Sequence, residues 1–437
     1  MSESSAPSKP EFAAAMRFWW KLGWISFGGP TGQIALMHTE VVERKRWIDE
    51  GRFLHALNYC MLLPGPEAQQ LATYLGWMMH GTRGALTAGI LFVLPGAILL
   101  WILSWIYAAH GEVPWIAAVF EGLKPAVIGI VAHAVLRIGK KALKNHAMWC
   151  VAALAFVCLF FFHAPFPSIV ALAAAIGWIG QRFAPRVFDV AEQHSAGEAH
   201  SSQAPPQGAR AGWSRAARVT ICCLLLWWLP VALLAACFGT HSTFVAQGVF
   251  FSQAAMVTFG GAYAVLPYIA SAAVERFGWL STGAMMDGLG LAETTPGPLI
   301  LVVQFVGFLG GWNHPEGLPP WLGGLIGAAI TTWVTFVPCF LWILLGAPYV
   351  EGLRGKRGLS AALASVTAAV VGVVLNLAFW FAMKALFHGG ELSWSGLDLA
   401  SLLLAIGVFV ALARWNVSVQ AVVAAGCLFG LARHWTA

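Results

Sequence analysis

The sequence predicts an all-α polytopic membrane protein: two inverted-topology repeats with broken or re-entrant helices, joined by one linker helix. Three observations predict it. The composition is 59% hydrophobic and 10% charged, with 22 Trp in 437 residues, leaving too few polar groups to coat a water-soluble body of that size. Two pairs of helix-breaking motifs recur at one spacing. The basic loops then change sides between the copies.

The repeat is read from its landmarks. Phe27-Gly28-Gly29 returns as Phe259-Gly260-Gly261 and Pro64-Gly65-Pro66 as Pro296-Gly297-Pro298, both displaced by 232 residues (259 − 27 and 296 − 64). Val42-Glu43-Arg44 meets Val274-Glu275-Arg276 and Trp47-Ile48 meets Trp279-Leu280 at the same displacement. An insertion near Asn313 to Pro320 moves it to 243, where Pro95 meets Pro338, and Ala126, Gly129 and Val131 meet Ala369, Gly372 and Val374. The expected organisation is a first repeat over 1–183, a linker with a connecting transmembrane helix over 184–243, and a second, inverted repeat over 244–437.

Taken in order, the first eleven residues are polar, and the apolar segment Phe12 to Met37 carries Arg17 and Lys21 without a small-residue cleavage site, so no cleaved signal peptide is expected. That segment is interrupted by Gly28-Gly29-Pro30, and the next, Tyr59 to Met79, by Pro64-Gly65-Pro66. Glycine permits unusual dihedrals and proline stops the preceding helix. Non-helical backbone at membrane depth survives only where protein or a wet cavity satisfies it. The bland alternative is a kinked helix packed tightly through glycine. Amphipathic stretches, His38 to Asn58 and Ala270 to Leu289, lie between the broken segments. Ala85 to Ala109, Met148 to Phe162, Ile169 to Ile179, Val219 to Phe238, Leu322 to Leu345 and Leu399 to Ala413 are each long enough, with their flanks, to cross a bilayer. About thirteen hydrophobic segments result, of which nine cross if the four broken ones are re-entrant. The Ala-, Ser-, Gln- and Pro-rich stretch from Ala184 to Trp213 reads as a flexible cytoplasmic connection.

Charge orients the chain. Arg137, Lys140, Lys141 and Lys144 form a basic loop expected inside, which places the turn His110 to Pro114 outside. In the second copy the counterpart of that outer turn is the basic loop Arg354 to Arg357, and the counterpart of Arg137 to Lys144 is nearly bare of positive charge. The copies therefore face opposite ways, and the unpaired helix Val219 to Phe238 supplies the extra crossing. The amino terminus is expected in the cytoplasm and the carboxyl terminus outside. Such repeats are typical of secondary transporters, with substrate sites near the midplane.

A helix starting after a break points free N–H groups and a positive dipole end into a cavity, which suits an anion. The candidate binding residues are therefore Ser26, Phe27, Gly28, Gly29, Pro30, Pro64, Gly65 and Pro66, with Thr258, Gly260, Gly261, Thr294, Thr295 and Gly297 in the second copy. The Ser and Thr hydroxyls either donate to anion oxygens or bond back to a helical carbonyl. Arg44 and Arg276 align and either line the mouth of an anion path or face headgroups. Lys124 begins an apolar helix, and its counterpart Thr367 is neutral; it is a functional candidate or it snorkels. Glu67, Glu121 and Glu293 are the acids in apolar surroundings, with Glu67 and Glu293 the candidates for coupling, unless Glu67 only suits the start of a helix. His133 and Asn376 align as interhelical hydrogen bonders. The eight cysteines lie in apolar segments with no CxxC and no Cys/His zinc spacing, so neither metal nor cofactor is expected.

At these residues the sequence resembles the chromate ion transporter family, in its long-chain, two-domain type. The matching text is Ser26-Phe27-Gly28-Gly29-Pro30, Val42-Glu43-Arg44, Leu63-Pro64-Gly65-Pro66 and Phe92-Val93-Leu94-Pro95-Gly96. In the second copy it is Thr258 to Tyr263, Gly288 to Pro298 and Val303-Gln304-Phe305, which adds Tyr263 and Gln304 to the candidates. The resemblance implies efflux of chromate, with sulfate as isosteric competitor, through a bacterial inner-membrane protein, and chromate resistance as the outcome. Uptake or exchange of sulfate or another oxyanion, and an anion channel, remain as alternatives; a homodimer is left open. Nucleic acid is not an expected partner. An intramembrane enzyme is set aside, since HExxH, GxSxG and paired intramembrane aspartates are absent from the sequence. Switching is expected by rocking one repeat against the other.

Overall fold

The computed structural model describes residues 10–27, 29–188, 213–346, 357–387 and 396–436. The first half comprises α1 (Phe12–Ile25), α2 (Gly29–His38), a π-helical turn (Thr39–Arg44), α3 (Glu50–Cys60), α4 (Glu67–His110), α5 (Pro114–Ala142), α6 (His146–Phe162), α7 (Phe166–Phe183) and the short α8 (Pro185–Phe188). α9 (Trp213–Phe238) follows. The second half comprises α10 (Thr243–Met256), α11 (Ala262–Ser271), a π-helical turn (Ala272–Arg276), α12 (Thr282–Thr294), a 3-10 turn (Leu299–Leu301), α13 (Val302–Asn313), α14 (Pro320–Gly346), α15 (Arg357–Leu386), α16 (Leu399–Trp415) and α17 (Val419–Thr436). It is an all-α polytopic membrane protein.

The duplication reaches into backbone detail. Gly29 and Gly261 both have positive φ (70° and 94°), as do Gly65 and Gly297 (123° and 98°) and Arg46 and Gly278 (50° and 63°). Both π-helical turns fall at the same place. A second insertion carries the displacement to 253 for the last two helices, where His163 and Asn416 end α6 and α16 in the left-handed region (φ 51° and 50°). Most of the interhalf linker, Gly28 and the basic residues Arg354 to Lys356 lie outside the described residues. At the near end of the linker, Phe188 is buried and packs over Gly180, and Val187 accepts from Asn145 Nδ2 at 2.7 Å.

α4 spans 44 residues but is two arms. His80 (φ −137°, ψ 22°) and Gly81 (φ 62°, ψ −148°) interrupt it, and the closeness of Gly76 to Gly84 shows the arms folding back on each other. The first arm of α4, like α1, α2, α3 and their partners α10 to α13, is at most 14 residues long, or about 21 Å, short of the ~30 Å hydrocarbon core. The second arm of α4, α5, α7, α9, α14 and α15 are long and apolar enough to cross, and α6 and α16 are shorter apolar helices. Leaving aside α8 and the short α10 to α13, five helices run from the second arm of α4 to the start of its counterpart α14: that arm itself, α5, α6, α7 and α9. If each crosses, an odd number turns the chain over.

Packing departs from the expectation of two bodies that rock as repeats. α5 packs on α16 and α17, while α15 packs on α6 and α7, so each half clasps the other's last helices. A second bundle gathers α1, α4, α9, α10, α13 and α14, again from both halves. α12 lies between the bundles, touching α5, α15 and α17 on one side and α4 and α13 on the other. The physical reason is close approach through glycine. Gly307 and Gly311 of α13 face Gly327 and Gly323 of α14, and Gly122 of α5 faces Gly426 and Gly430 of α17, each pair so near that a Cβ would collide with the opposing backbone. Lipid offers no hydrophobic drive between helices, so dispersion over such seams holds them together.

Gly311→Val is therefore expected to destabilise the detergent-solubilised protein by roughly 1–3 kcal/mol through overpacking. Gly407, around which no atom lies within 4 Å of a built Cβ, is the control: Gly407→Ala should be neutral or gain about 0.5–1 kcal/mol. Thermal melts of the two variants check this, and equal melting temperatures would contradict the seam.

Candidate functional site

The two pairs of breaks meet at the centre. The amide of Gly65 donates to the carbonyl of Thr258 at 2.7 Å, and the amide of Gly297 donates to the carbonyl of Ser26 at 2.9 Å. Since Ser26 and Thr258 are equivalent, as are Gly65 and Gly297, the two bonds are one contact made twice, which requires a two-fold-like relation between the halves. Gln33 of α2 donates to the carbonyl of Gly297 at 2.6 Å. The centre is tightly closed: a Cβ on Gly96, beside the α4 proline Pro95, would collide with the carbonyl of Pro296, and one on Gly65 would lie 2.9 Å from Cys339 Sγ, beside Pro338 of α14.

The hydroxyls take the back-bonding geometry. Ser26 and Thr258 are buried and donate to Leu22 and Ala254, each at 2.6 Å. Thr294 donates to Leu291 at 2.9 Å and Thr295 to Ala292 at 3.2 Å. With the amides of Gly65 and Gly297 also committed, neither set is free to donate to an anion in this conformation. Room lies instead where α2 and α11 begin. A Cβ on Gly29 or Gly261 would meet nothing within 4 Å, and one on Gly260 only the Thr367 side chain, at 3.6 Å from Oγ1 and 3.8 Å from Cγ2. Pro30 is half-buried beside that space and Phe27 is exposed. Pro64 is half-buried and accepts from Gln70 Nε2 at 2.7 Å, while Pro66 is buried and caps α4 without a side-chain bond.

Next to the second pair of breaks lies a charged cluster. The Tyr263 hydroxyl, two residues past Gly261, donates to Glu293 Oε1. The Arg137 guanidinium of α5 stands over the Tyr263 ring, 5.8 Å from its centroid. Tyr263 and Glu293 are buried. Arg137 belongs to α5, which continues to Ala142, and so reaches inward from what the sequence suggests is a cytoplasmic loop. Glu67, at the first position of α4, is half-buried within electrostatic reach of Lys141. Gln304 donates to the Ala97 carbonyl at 2.7 Å and accepts from Thr332 at 3.2 Å, tying α13 to α4 and α14.

Arg44 and Arg276 stand apart from this cluster. Arg44 is exposed and pairs with Glu40 at 2.6 Å, and Arg276 is exposed with its guanidinium 4.9 Å from the Phe277 ring centroid. Lys124 is held by Glu121, one turn earlier on α5.

Several polar groups here escaped the sequence reading. Gln33, Gln69, Gln70 and Asp287 are buried, and each has a side-chain oxygen without a partner. Gln69-Gln70, separated from Pro64-Gly65-Pro66 by two residues, was a legible signal, since neutral amides in an apolar helix need a partner as much as charges do. No group of three or more His, Cys, Asp or Glu suited to a metal ion occurs among the described residues.

Comparison with known proteins bears on this arrangement. The family model described as chromate transporter matches residues 13–178 and 245–431, one stretch in each half. A chromate transport protein of Cupriavidus metallidurans is 28% identical over 421 residues, 95% of this chain and 91% of that protein. One of Pseudomonas aeruginosa is 33% identical over 363 residues, 81% and 77% of the two chains. A probable chromate transport protein of Synechococcus elongatus is 27% identical over 361 residues, 82% and 81%. No solved structure matches. With both halves matched and the breaks paired across them, the chain belongs to the chromate transporter family of membrane transport proteins.

Proposed function

We propose that this chain exports chromate from the cytoplasm by alternating access, conferring chromate resistance, with the anion held near the midplane where α2 and α11 begin. The carrying observation is the open space at Gly29 and Gly261 beside positive-φ backbone, each at a helix start and each next to a carbonyl already satisfied by the other half. A tetrahedral dianion fits helix N-termini and Arg137 better than it fits a rim of solvated arginines. The chromate transport proteins among its relatives support that substrate. Sulfate shares its shape and charge and would compete. The halves face opposite ways, amino terminus inside, in the inner membrane of the cell.

The moving bodies are the two mixed bundles. One is built around α5 and α15, the other around α4 and α14, and α11 and α12 sit at their boundary with Tyr263 and Glu293. Sliding one bundle against the other alters access to the helix starts without unpicking the glycine seams. Direction follows from charge. A dianion leaving a cell that is negative inside gains about 2.3 kcal/mol per charge per 100 mV, or roughly 4.6 kcal/mol in all.

Three outcomes are expected. Gly29→Val and Gly261→Val each force a branched side chain into left-handed backbone and fill the open space, at roughly 1–3 kcal/mol of strain; both should abolish chromate resistance while protein still reaches the membrane, and normal resistance in both refutes the site. In proteoliposomes of known orientation, an inside-negative potential should accelerate outward chromate flux and slow inward flux; the reverse dependence would favour uptake. Arg137→Gln should destabilise by about 0.5–2 kcal/mol by removing the cation over the Tyr263 ring, beside Glu293. Adding Glu293→Gln should restore part of that, so additive losses in a double-mutant thermal melt would show that the two are not coupled.

A further inference from the structure

Asp287 lies midway along α12 and is only 3% exposed. Its Oδ2 accepts from the Tyr107 hydroxyl of α4 at 3.0 Å, while Oδ1 has no partner. The side chain lines a cavity of about 440 Å³ that runs from Gly111 and Glu112, at the turn between α4 and α5, past Glu121 and Lys124. In that cavity the Lys124 ammonium, held by Glu121, stands 3.3 Å from the position a Cβ on Gly283 would take. Gly283 is one helical turn before Asp287, on the same face of α12. Lys124 thus grips one carboxylate and faces a second.

An ionised buried carboxylate with one bare oxygen is costly. Two events remove the cost: a proton arrives on Asp287, or Lys124 swings across to it. The arrangement seen, with Lys124 on Glu121 and Asp287 held by one neutral donor, suits the protonated acid. Loss of the proton draws the ammonium, on its flexible stem, toward Asp287. Gly283 leaves that path clear, since a side chain there would occupy it.

We propose that Asp287 is a proton-binding site of the transport cycle, loaded through this cavity and unloaded as Lys124 moves from Glu121 to Asp287. The proposal rests on the reading of the chain as an oxyanion carrier. The titratable groups that share the cavity with Asp287 are Tyr107 from α4, Glu112 from the turn between α4 and α5, and Glu121 and Lys124 from α5. α13 carries no titratable side chain, and Lys384 of α15 is exposed. Arg433 and His434 of α17 line the adjoining cavity of about 460 Å³ beyond Lys124, with Arg433 engaged by Asp398. The link to the anion is mechanical. α12 carries Asp287 in its middle and Glu293 near its end, and then runs into Pro296-Gly297-Pro298, so a shift of α12 caused by Lys124 is felt at the central breaks. The cavity opens on the side assigned to the exterior, so a proton entering and a dianion leaving add, moving three elementary charges per cycle where uncoupled export moves two.

The experiment uses the purified full chain in proteoliposomes with labelled chromate and the membrane potential clamped at zero. In the wild type, a gradient of one pH unit should drive about tenfold chromate accumulation on the alkaline-opposed side, as one-to-one coupling requires. Asp287→Asn should keep chromate exchange at equal pH and lose the response to the pH gradient, and Asp287→Glu should retain both. Gly283→Ala leaves Asp287 in place and crowds the path of Lys124; it should shift the pH profile of proton-driven transport, which gives a readout even if Asp287→Asn fails to fold. An unshifted profile in Gly283→Ala, an intact gradient response in Asp287→Asn, or drive by a sodium gradient in place of a proton gradient overturns the proposal alone. Absence of chromate exchange in the wild type overturns the carrier reading, and the proposal with it.

Discussion

Every backbone amide and carbonyl placed in lipid must find its partner inside the protein, and the rest of this structure follows from how that demand is met at the four breaks. A break strands polar backbone where no water reaches it. Here the stranded carbonyl of one half is satisfied by the stranded amide of the other, through Gly65 with Thr258 and Gly297 with Ser26. Neither half can therefore fold its centre alone. The same mutual dependence appears in the outer helices, where α5 and α15 each clasp the terminal helices of the opposite half.

Glycine makes this interlocking affordable in space. The seams between α13 and α14 and between α5 and α17 bring backbones within reach of each other, and the resulting dispersion replaces the hydrophobic drive that lipid does not provide. Bundles held in this way slide as units, because a seam that fits only glycine resists partial opening. Polar groups accordingly collect at the boundary between bundles. Tyr263, Glu293 and Asp287 lie on α11 and α12, and Arg137, Lys124 and Tyr107 reach them from α5 and α4. Symmetric backbone carries asymmetric chemistry, for the first half places Thr31, Met61 and His55 where the second has Tyr263, Glu293 and Asp287.

Much of this was legible in sequence. The paired motifs located all four breaks, and the helices begin where proline and glycine say they must, as α4 does after Pro66 and α11 after Gly261. Tyr263 and Glu293 were found because they adjoin those motifs. Arg137 was hidden by its company: beside Lys140, Lys141 and Lys144 it reads as a member of a solvated loop, yet α5 carries it into the boundary between the bundles. Asp287 was hidden by an amphipathic stretch in which one acid draws no notice. The four hydroxyls show the converse, since their position beside the breaks suggested donors for an anion and their protons go to helical carbonyls one turn back.

The sequence by itself determined the class of solvent, the duplication, the positions of the breaks and the family, because composition, spacing and backbone-limited residues are local properties written along the chain. Only the tertiary structure decided which half satisfies which, that the bundles mix the repeats, and that Asp287 faces Lys124 across a cavity. Those are contacts between residues separated by more than a hundred positions, and side-chain packing, which no local pattern encodes, chooses among them.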